Sequence, residues 1–376
     1  MDDRMAAETS LTATTPERLV SLDALRGFDM FWIIGGEEIV QALKRISDSG
    51  FVRFLVYELT HRRWEGFAFE DLIFPLFVFI VGVSLVFSLS RSVQRDGKVK
   101  TCWKILRRAV VLYLIGIVYY GGISQGVDQI RPMGVLQRIA ICYLAAGLLF
   151  LAFRPRGLVV VCILLLVGYW ALMTFVPVPG FGAGDFAEGK NLANYFDRLY
   201  LPFHKWDGDH DPEGLLSTLP AIASCLLGVF AGLLLRKKET GEYKKVLFLA
   251  LAGAACVLLG FLWGTQFPVV KKIWTSSFVL VAGGYSCLLL AAFYLILDIW
   301  KWQRWAAPFV WIGANAITLY LAWAFIDFPA LAKRLVGGPV ANSLGNWNEL
   351  LIAIVALGLV LLLARLLYRR NVFLRV

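Results

Sequence analysis

Long, unbroken apolar runs dominate this chain and leave few folds open to it. Runs of about 20 apolar residues are each long enough for a helix to cross the hydrocarbon core of a bilayer. In lipid every backbone N–H and C=O must be satisfied internally, which leaves only helices and closed barrels. Continuous runs, rather than alternating ones, exclude the barrel. The runs predict transmembrane helices at 22–42, 69–90, 105–122, 133–152, 157–176, 215–235, 245–266, 276–299, 306–326 and 350–368. The expected fold class is therefore all-α, a polytopic membrane helix bundle of about ten transmembrane helices. The longest interruption, 177–214, is too short for a soluble domain and reads as a structured non-cytoplasmic loop with brief helices. The expected organisation is a polar cytoplasmic tail over 1–20 and a single transmembrane domain over 21–376. No internal repeat is visible.

Charge orients the bundle. A formal net charge of +10 in a chain that is 59% hydrophobic could point to nucleic acid, but the cations sit in short segments between apolar runs. That is topogenic charge, so no nucleic-acid partner is expected. Seven cations fall within 91–108: Arg91, Arg95, Lys98, Lys100, Lys104, Arg107 and Arg108. Placing that segment in the cytoplasm makes every second segment cytoplasmic as well. These hold Arg4 and Arg18, Arg154 and Arg156, Arg236 to Lys245, Lys301 and Arg304, and Arg365 to Arg375. Both termini are then cytoplasmic. The first polar residues lack the short apolar core and cleavage site of a secretory signal, so the first run is expected to remain as an anchor. Of the six cysteines, Cys142, Cys162, Cys225, Cys256 and Cys287 lie in apolar runs and Cys102 in a basic segment. Neither a disulfide framework nor a CxxC metal site can be read from them, and no metal is expected.

Chemistry-bearing residues gather on the opposite side. They include His61-Arg62-Arg63-Trp64-Glu65-Gly66 running into Asp71, then Gln125, Asp128, Gln129 and Arg131, then His210-Asp211-Pro212-Glu213-Gly214, then Lys271, Lys272 and Trp274. All three histidines, His61, His204 and His210, lie there. A surface histidine titrates near working pH and suits acid–base or nucleophilic work, although it can equally cap a helix or meet headgroups. Asp211-Pro212-Glu213 is good helix-start grammar, with Asp211 as N-cap, Pro212 at N1 and Glu213 in the first turn. Within the membrane runs, Asp23 and Arg26 are one turn apart and expected to pair, and Asp29, Arg138 and Asn315 lie deeper. Ionisable groups at such depth need a partner or a wet cavity, so some of them should line one.

Several of these segments together resemble the heparan-α-glucosaminide N-acetyltransferase family. They are Ser21-Leu22-Asp23-Ala24-Leu25-Arg26-Gly27, His61-x-x-Trp64-x-Gly66 with Asp71-Leu72-Ile73-Phe74-Pro75, and Gly134-Val135-Leu136-Gln137-Arg138. Asp211-Pro212-Glu213-Gly214, Lys272-Ile273-Trp274-Thr275 and Gly313-Ala314-Asn315 extend the match through most of the chain. The chain is similar to the shorter bacterial relatives, including the membrane protein of N-acetylglucosamine-utilisation gene clusters. The resemblance implies a transmembrane acetyltransferase of the bacterial inner (plasma) membrane. It would use cytosolic acetyl-CoA and acetylate the amine of glucosamine or a glucosamine-terminated saccharide on the far side. It implies His61 as the catalytic residue. A family asparagine near a glycine pair has no counterpart in Gly35-Gly36-Glu37-Glu38, so its role is absent or taken by Glu37 or Glu38.

On this reading the basic cytoplasmic residues meet the nucleotide end of acetyl-CoA, and the pantetheine arm threads a cavity between helices. His61 takes a proton from the sugar ammonium or accepts the acetyl group itself. Asp211, Glu213, Trp64, Asp71, Lys272 and Trp274 are the expected acceptor-binding residues. Arg138, Asn315, Gln137 and Arg26 are those expected to bind acetyl-CoA. Membrane lipid is the other expected partner, and a homodimer stays open. Two rivals remain: an amino-sugar (N-acetylglucosamine) transporter, and an O-acyltransferase acting on envelope polysaccharide.

Overall fold

The computed structural model describes residues 19–124, 126–338, 341 and 343–373. The expected tail over 1–18, with Arg4 and Arg18, and also Gln125 and Arg375, lie outside the described residues. Among the described residues the fold is helical, and in place of a sheet there are two isolated bridges, Glu65 with Val270 and Val178 with Gly182. The helices are α1 (Val20–Phe31), α2 (Glu37–Lys44), α3 (Gly50–Glu58), α4 (Phe69–Tyr119), α5 (Val135–Ala152), α6 (Pro155–Phe175), α7 (Leu192–Tyr200) and α8 (Thr218–Arg236). They continue with α9 (Glu242–Gly264), α10 (Ser276–Tyr294), α11 (Ala307–Ala314), α12 (Ala316–Phe325), α13 (Phe328–Val336) and α14 (Asn348–Arg369). Seven are long and apolar enough to cross a membrane, or eight if the bent pair α11–α12 is one span. The chain is a multi-pass helical membrane bundle. The loop over 177–214 is structured as expected and carries α7.

The second and third expected spans are joined in α4, whose 51 residues would measure roughly 75 Å if straight at 1.5 Å per residue. The element is instead folded back on itself at Gly97, whose φ of 80° and ψ of 169° leave helical geometry. Thr101 Oγ1 donates to Ser92 Oγ at 3.1 Å across the turn. Phe77 and Leu112, 35 positions apart, line one cavity. A positive φ is cheap only for glycine, so the reversal sits where the sequence allows it.

The first expected span, 22–42, is interrupted. A π-turn over Trp32–Gly36 separates α1 from α2, with Ile34 (φ −100°, ψ 22°) and Gly35 (φ 134°, ψ 0°) outside helical geometry. The ninth, 306–326, bends by 70° at Asn315. Irregular backbone at membrane depth persists where it is buried in protein or lines a cavity, and both breaks border the cavities described below. The sixth helix begins at Thr218, later than expected. Asp211 caps a turn instead of α8, accepting from Glu213 N at 3.0 Å while Gly214 N bonds Asp211 O at 2.9 Å.

Two contacts fix α1. The orphan N–H groups of Val20 and Ser21 donate to the Asp298 carboxylate at 3.1 Å each, closing the helix start from beyond α10. Against α11, Gly27 and Gly313 allow backbone-to-backbone contact. A Cβ at Gly27 would sit 1.7 Å from Phe309 O, and one at Gly313 1.8 Å from Asp23 O. Small residues at a crossing are the usual means of close packing in membranes. The crossing sets Arg26 beside the bend at Asn315: Arg26 donates to Gly313 O (3.3 Å), Ser84 Oγ (2.6 Å) and, as expected, Asp23 (3.4 Å).

Candidate active site

His61 lies in the loop before α4, its side chain 57% exposed. Its Nδ1 is 3.1 Å from Oδ1 of Asp71, which is wholly buried in the first turn of α4. The other Asp71 oxygen accepts from the backbone N–H of Ala68 (3.1 Å) and Arg62 (3.3 Å). One carboxylate therefore caps α4, holds the loop and orients the imidazole. Gly66 N donates to Val269 O at 2.9 Å, tying this loop to the turn before α10. That tie delivers Lys271, whose Nζ is 3.1 Å from His61 Nδ1 and 3.7 Å from Asp71 Oδ1. One ring nitrogen cannot serve both neighbours. With Nδ1–H given to the buried carboxylate, Nε2 keeps its lone pair. Nε2 lies 3.9 Å from Glu70 Oε1. Burial holds the Lys271 ammonium below the usual lysine range, opposed by the carboxylates of Asp71, Glu70 and Glu213.

His61, Glu70, Glu213 and Lys271 form the polar wall of a cavity of about 230 Å³ whose remaining lining includes Met30, Phe74, Leu136 and Tyr320. A second cavity of about 330 Å³ adjoins it, and Phe77, Ile139 and Ile317 line both. Its polar groups are Arg26, Arg108, Ser84, Ser88 and Asn315. Asn315 is buried, and neither its amide nitrogen nor its oxygen has a hydrogen-bond partner. Buried amides are normally satisfied, so an unpartnered one at a bend lining a cavity marks a place for a polar ligand. Phe77, Ile139 and Ile317 form an apolar neck where the two cavities meet, with the His61 imidazole and two carboxyl side chains lining one cavity and two guanidinium groups lining the other.

Behind the first cavity lies a buried ionic cluster. Arg131 makes a two-pronged contact with Asp211 (2.8 and 2.6 Å) and reaches Glu213 at 2.6 Å. Its guanidinium lies 4.5 Å from the Tyr120 ring centre and 4.9 Å from that of Trp206. Burial would lower the Arg131 pKa, but the two carboxylates outweigh it and raise it. Burial pushes the Glu213 carboxyl up, with Arg138 and Arg131 opposing. Arg138 is wholly buried, donates to Gly214 O at 3.2 Å and to Ser217 Oγ, and stacks at 4.9 Å on Trp274.

Of the residues given a catalytic or binding role from sequence, His61 and Glu213 line the first cavity, Asp71 stands directly behind His61, and Arg26 and Asn315 line the second. The others stand apart from both linings. Asp211 is consumed by Arg131 and backbone N–H groups. Gln137 donates to Arg131 O at 3.1 Å. Trp64 donates from Nε1 to Phe186 O at 3.0 Å, and Trp274 from Nε1 to Ser224 Oγ at 3.1 Å. Lys272 pairs with Glu188 at 2.9 Å and Asp207 at 3.0 Å. Sequence reasoning missed Lys271, Glu70, Arg108 and Tyr320 as cavity residues. Glu70 and Lys271 each adjoin a chosen residue, and the turn decides which neighbour faces the cavity.

Comparison with known proteins meets the same residues. A family model described as heparan-alpha-glucosaminide N-acetyltransferase, catalytic, matches residues 18–260. The chain is 28% identical to the human heparan-alpha-glucosaminide N-acetyltransferase over 99% of its own length and 62% of that protein's. It is 28% identical to the mouse protein of that name over 83% of its own length and 56% of the relative's. The chain thus spans less than two thirds of the length of these relatives. With the family model covering more than half of it, and the His61 and Arg138 segments both inside the match, the chain belongs to the heparan-alpha-glucosaminide N-acetyltransferase catalytic family, a family of acetyltransferases.

Proposed function

We propose that this protein is a transmembrane acetyltransferase that carries acetyl from cytosolic acetyl-CoA to the amine of glucosamine or a glucosamine-terminated saccharide on the opposite side. The observation that carries the reading is the pair of adjoining cavities, with Arg26 and Arg108 in one and His61, backed by Asp71, in the other. Guanidinium groups suit the phosphates of CoA, the neck suits a slender pantetheine arm, and Asn315 suits its amides. On this reading the hairpin at Gly97 faces the cytoplasm, the chain crosses the inner membrane ten times with both termini inside, and residues 21–376 act as one unit.

In the chemical step Nε2 of His61 takes a proton from the acceptor ammonium. The freed amine attacks the thioester carbonyl, the C–N bond forms, the C–S bond breaks, and the thiolate leaves with the second proton shed by the amine nitrogen, while the first is later released from Nε2 to solvent. Asp71 holds the imidazole in the tautomer that presents Nε2 and stabilises the imidazolium that forms. Glu70 and Glu213 offer carboxyl oxygens to the acceptor at the same wall.

The test is sided. Proteoliposomes loaded with glucosamine and given labelled acetyl-CoA outside should accumulate labelled N-acetylglucosamine inside, with CoA released outside. Absence of labelled product in vesicles of either orientation overturns the proposal. A second reading, an amino-sugar carrier, is favoured by the two broken helices at α1–α2 and α11–α12, since discontinuous helices frame the sites of many transporters. Saturable uptake of N-acetylglucosamine without acetyl-CoA would support it. Acetyl found on a hydroxyl would instead support an O-acyltransferase.

A further inference from the structure

Away from the cavities, the loop between α6 and α8 gathers three potential ligand atoms with no part in the proposed reaction. One oxygen of Glu188, one of Asp207 and a ring nitrogen of His210 all lie within 4.8 Å of one another. His210 Nε2 is 3.7 Å from Asp207 Oδ2 and 3.9 Å from Glu188 Oε1. We propose that Glu188, Asp207 and His210 bind a divalent transition-metal cation of the zinc class, with the Lys272 ammonium as a built-in competitor.

The histidine makes this more than a pair of acids. Its Nδ1 is 2.6 Å from Asp209 Oδ1, and Asp209 is itself held by Arg198 at 2.9 Å. That contact places the proton on Nδ1 and the lone pair on Nε2, the arrangement in which a carboxylate behind an imidazole fixes a metal ligand. His210 is only 4% exposed, and its Nε2 is buried with no hydrogen-bond partner. A buried lone pair beside two carboxylates is a donor set with one member unused. Lys272 supplies charge to both carboxylates, at 2.9 and 3.0 Å, and leaves Nε2 unmet. A tetrahedral ion with bonds of about 2.1 Å sets its ligand atoms roughly 3.4 Å apart, so the 3.7 and 3.9 Å spacings from His210 Nε2 would close by up to half an ångström on binding. One imidazole with two carboxylates suits zinc better than calcium or magnesium, which prefer all-oxygen shells. Three protein ligands leave a fourth position for water. The ion would tie Glu188 to the Asp207–His210 stretch within the one loop, in place of the Lys272 ammonium, without entering the chemical step.

The full chain, purified in detergent and stripped with chelator, is titrated with zinc by calorimetry and with cobalt by visible absorption. One zinc per chain with micromolar or tighter affinity is expected, and intense tetrahedral bands for cobalt. His210→Ala should weaken binding by about tenfold or more, as should Glu188→Gln, whose loop position keeps the test open if the histidine variant fails to fold. Lys272→Ala should strengthen binding, since it removes the competitor. The proposal is overturned by the absence of stoichiometric zinc, by zinc binding indifferent to both ligand variants, or by weaker binding in Lys272→Ala.

Discussion

Lys271 and His61 are 210 positions apart in the chain, yet the ammonium nitrogen lies 3.1 Å from Nδ1 of the imidazole. Both side chains line the first cavity, and both lie against the buried Asp71 carboxylate. Lys271→Gln keeps the length of this side chain nearly unchanged and removes its titrating group. The lysine's own pKa is lowered, so the kcat/KM profile of wild type should show an alkaline limb below the usual lysine range, absent in the variant. Matching profiles for the two proteins would remove Lys271 from any part in the pH dependence.

The His61–Asp71 pair makes a distinct prediction. His61→Ala should lower kcat by about 10²–10⁴-fold, the usual worth of a positioned base, with little change in the KM for acetyl-CoA. Asp71→Asn should lower kcat and also the melting temperature, because the same carboxylate caps α4. Incubated with labelled acetyl-CoA alone, the protein should retain no label. A labelled protein would make His61 a nucleophile.

The neck can be blocked without touching either end. Phe77 and Ile317 line both cavities, and Ile317→Trp should abolish acetyl transfer across the membrane while CoA still binds at the Arg26 end. Steady-state transfer and CoA binding by calorimetry separate the two effects. Undiminished transfer in this variant would mean that the arm takes another route.

Asp197 yields a stability prediction. Burial pushes its carboxyl up from 3.8 to about 6, although Leu215 N–H and Asp211 N–H oppose the shift. The folded state therefore holds this proton more tightly than the unfolded chain does. The stabilisation is fully present below pH 3.8 and lost as pH rises through 6, up to about 3 kcal/mol. Melting curves should show wild type losing stability relative to Asp197→Asn between these limits. A constant difference across that range would contradict the assignment.

Close packing of α1 on α11 is testable by volume alone. Gly27→Leu should cost about 3 kcal/mol or more, because its Cβ meets the Phe309 carbonyl and backbone cannot yield as a side chain can. Gly168→Ala in α6 meets nothing within 4 Å and should leave the melting temperature unchanged. Equal effects at the two sites would show that the crossing is looser than described.

Apolar runs and loop charge made the class, and most of the spans, readable in advance, because hydrocarbon leaves a helix no alternative. The breaks at Gly35 and Asn315 were not readable. Gly35–Gly36 and Gly313 near Asn315 permit a departure, but glycine is common in membrane helices, and only the neighbouring helices decide that the backbone departs there. The motif drew attention to His61, which lines the first cavity, whereas Asp71, expected to bind the acceptor, stands behind the imidazole instead. Arg138, Asp211, Lys272 and Trp274 were chosen for their chemistry, but chemistry does not reveal facing. A buried arginine stacked on a tryptophan and a cavity arginine read alike in one dimension, and Lys271 and Lys272 differ only in how a turn is rolled.

Phe77, Ile139 and Ile317 also have an electrical consequence. Hydrophobic constrictions of pores shed their water, and a dry segment carries neither ions nor protons. Most of the voltage across the bilayer would then fall over these three side chains. On the route proposed for the pantetheine arm, the two cavities could then serve both faces of a bilayer without letting ions leak between them.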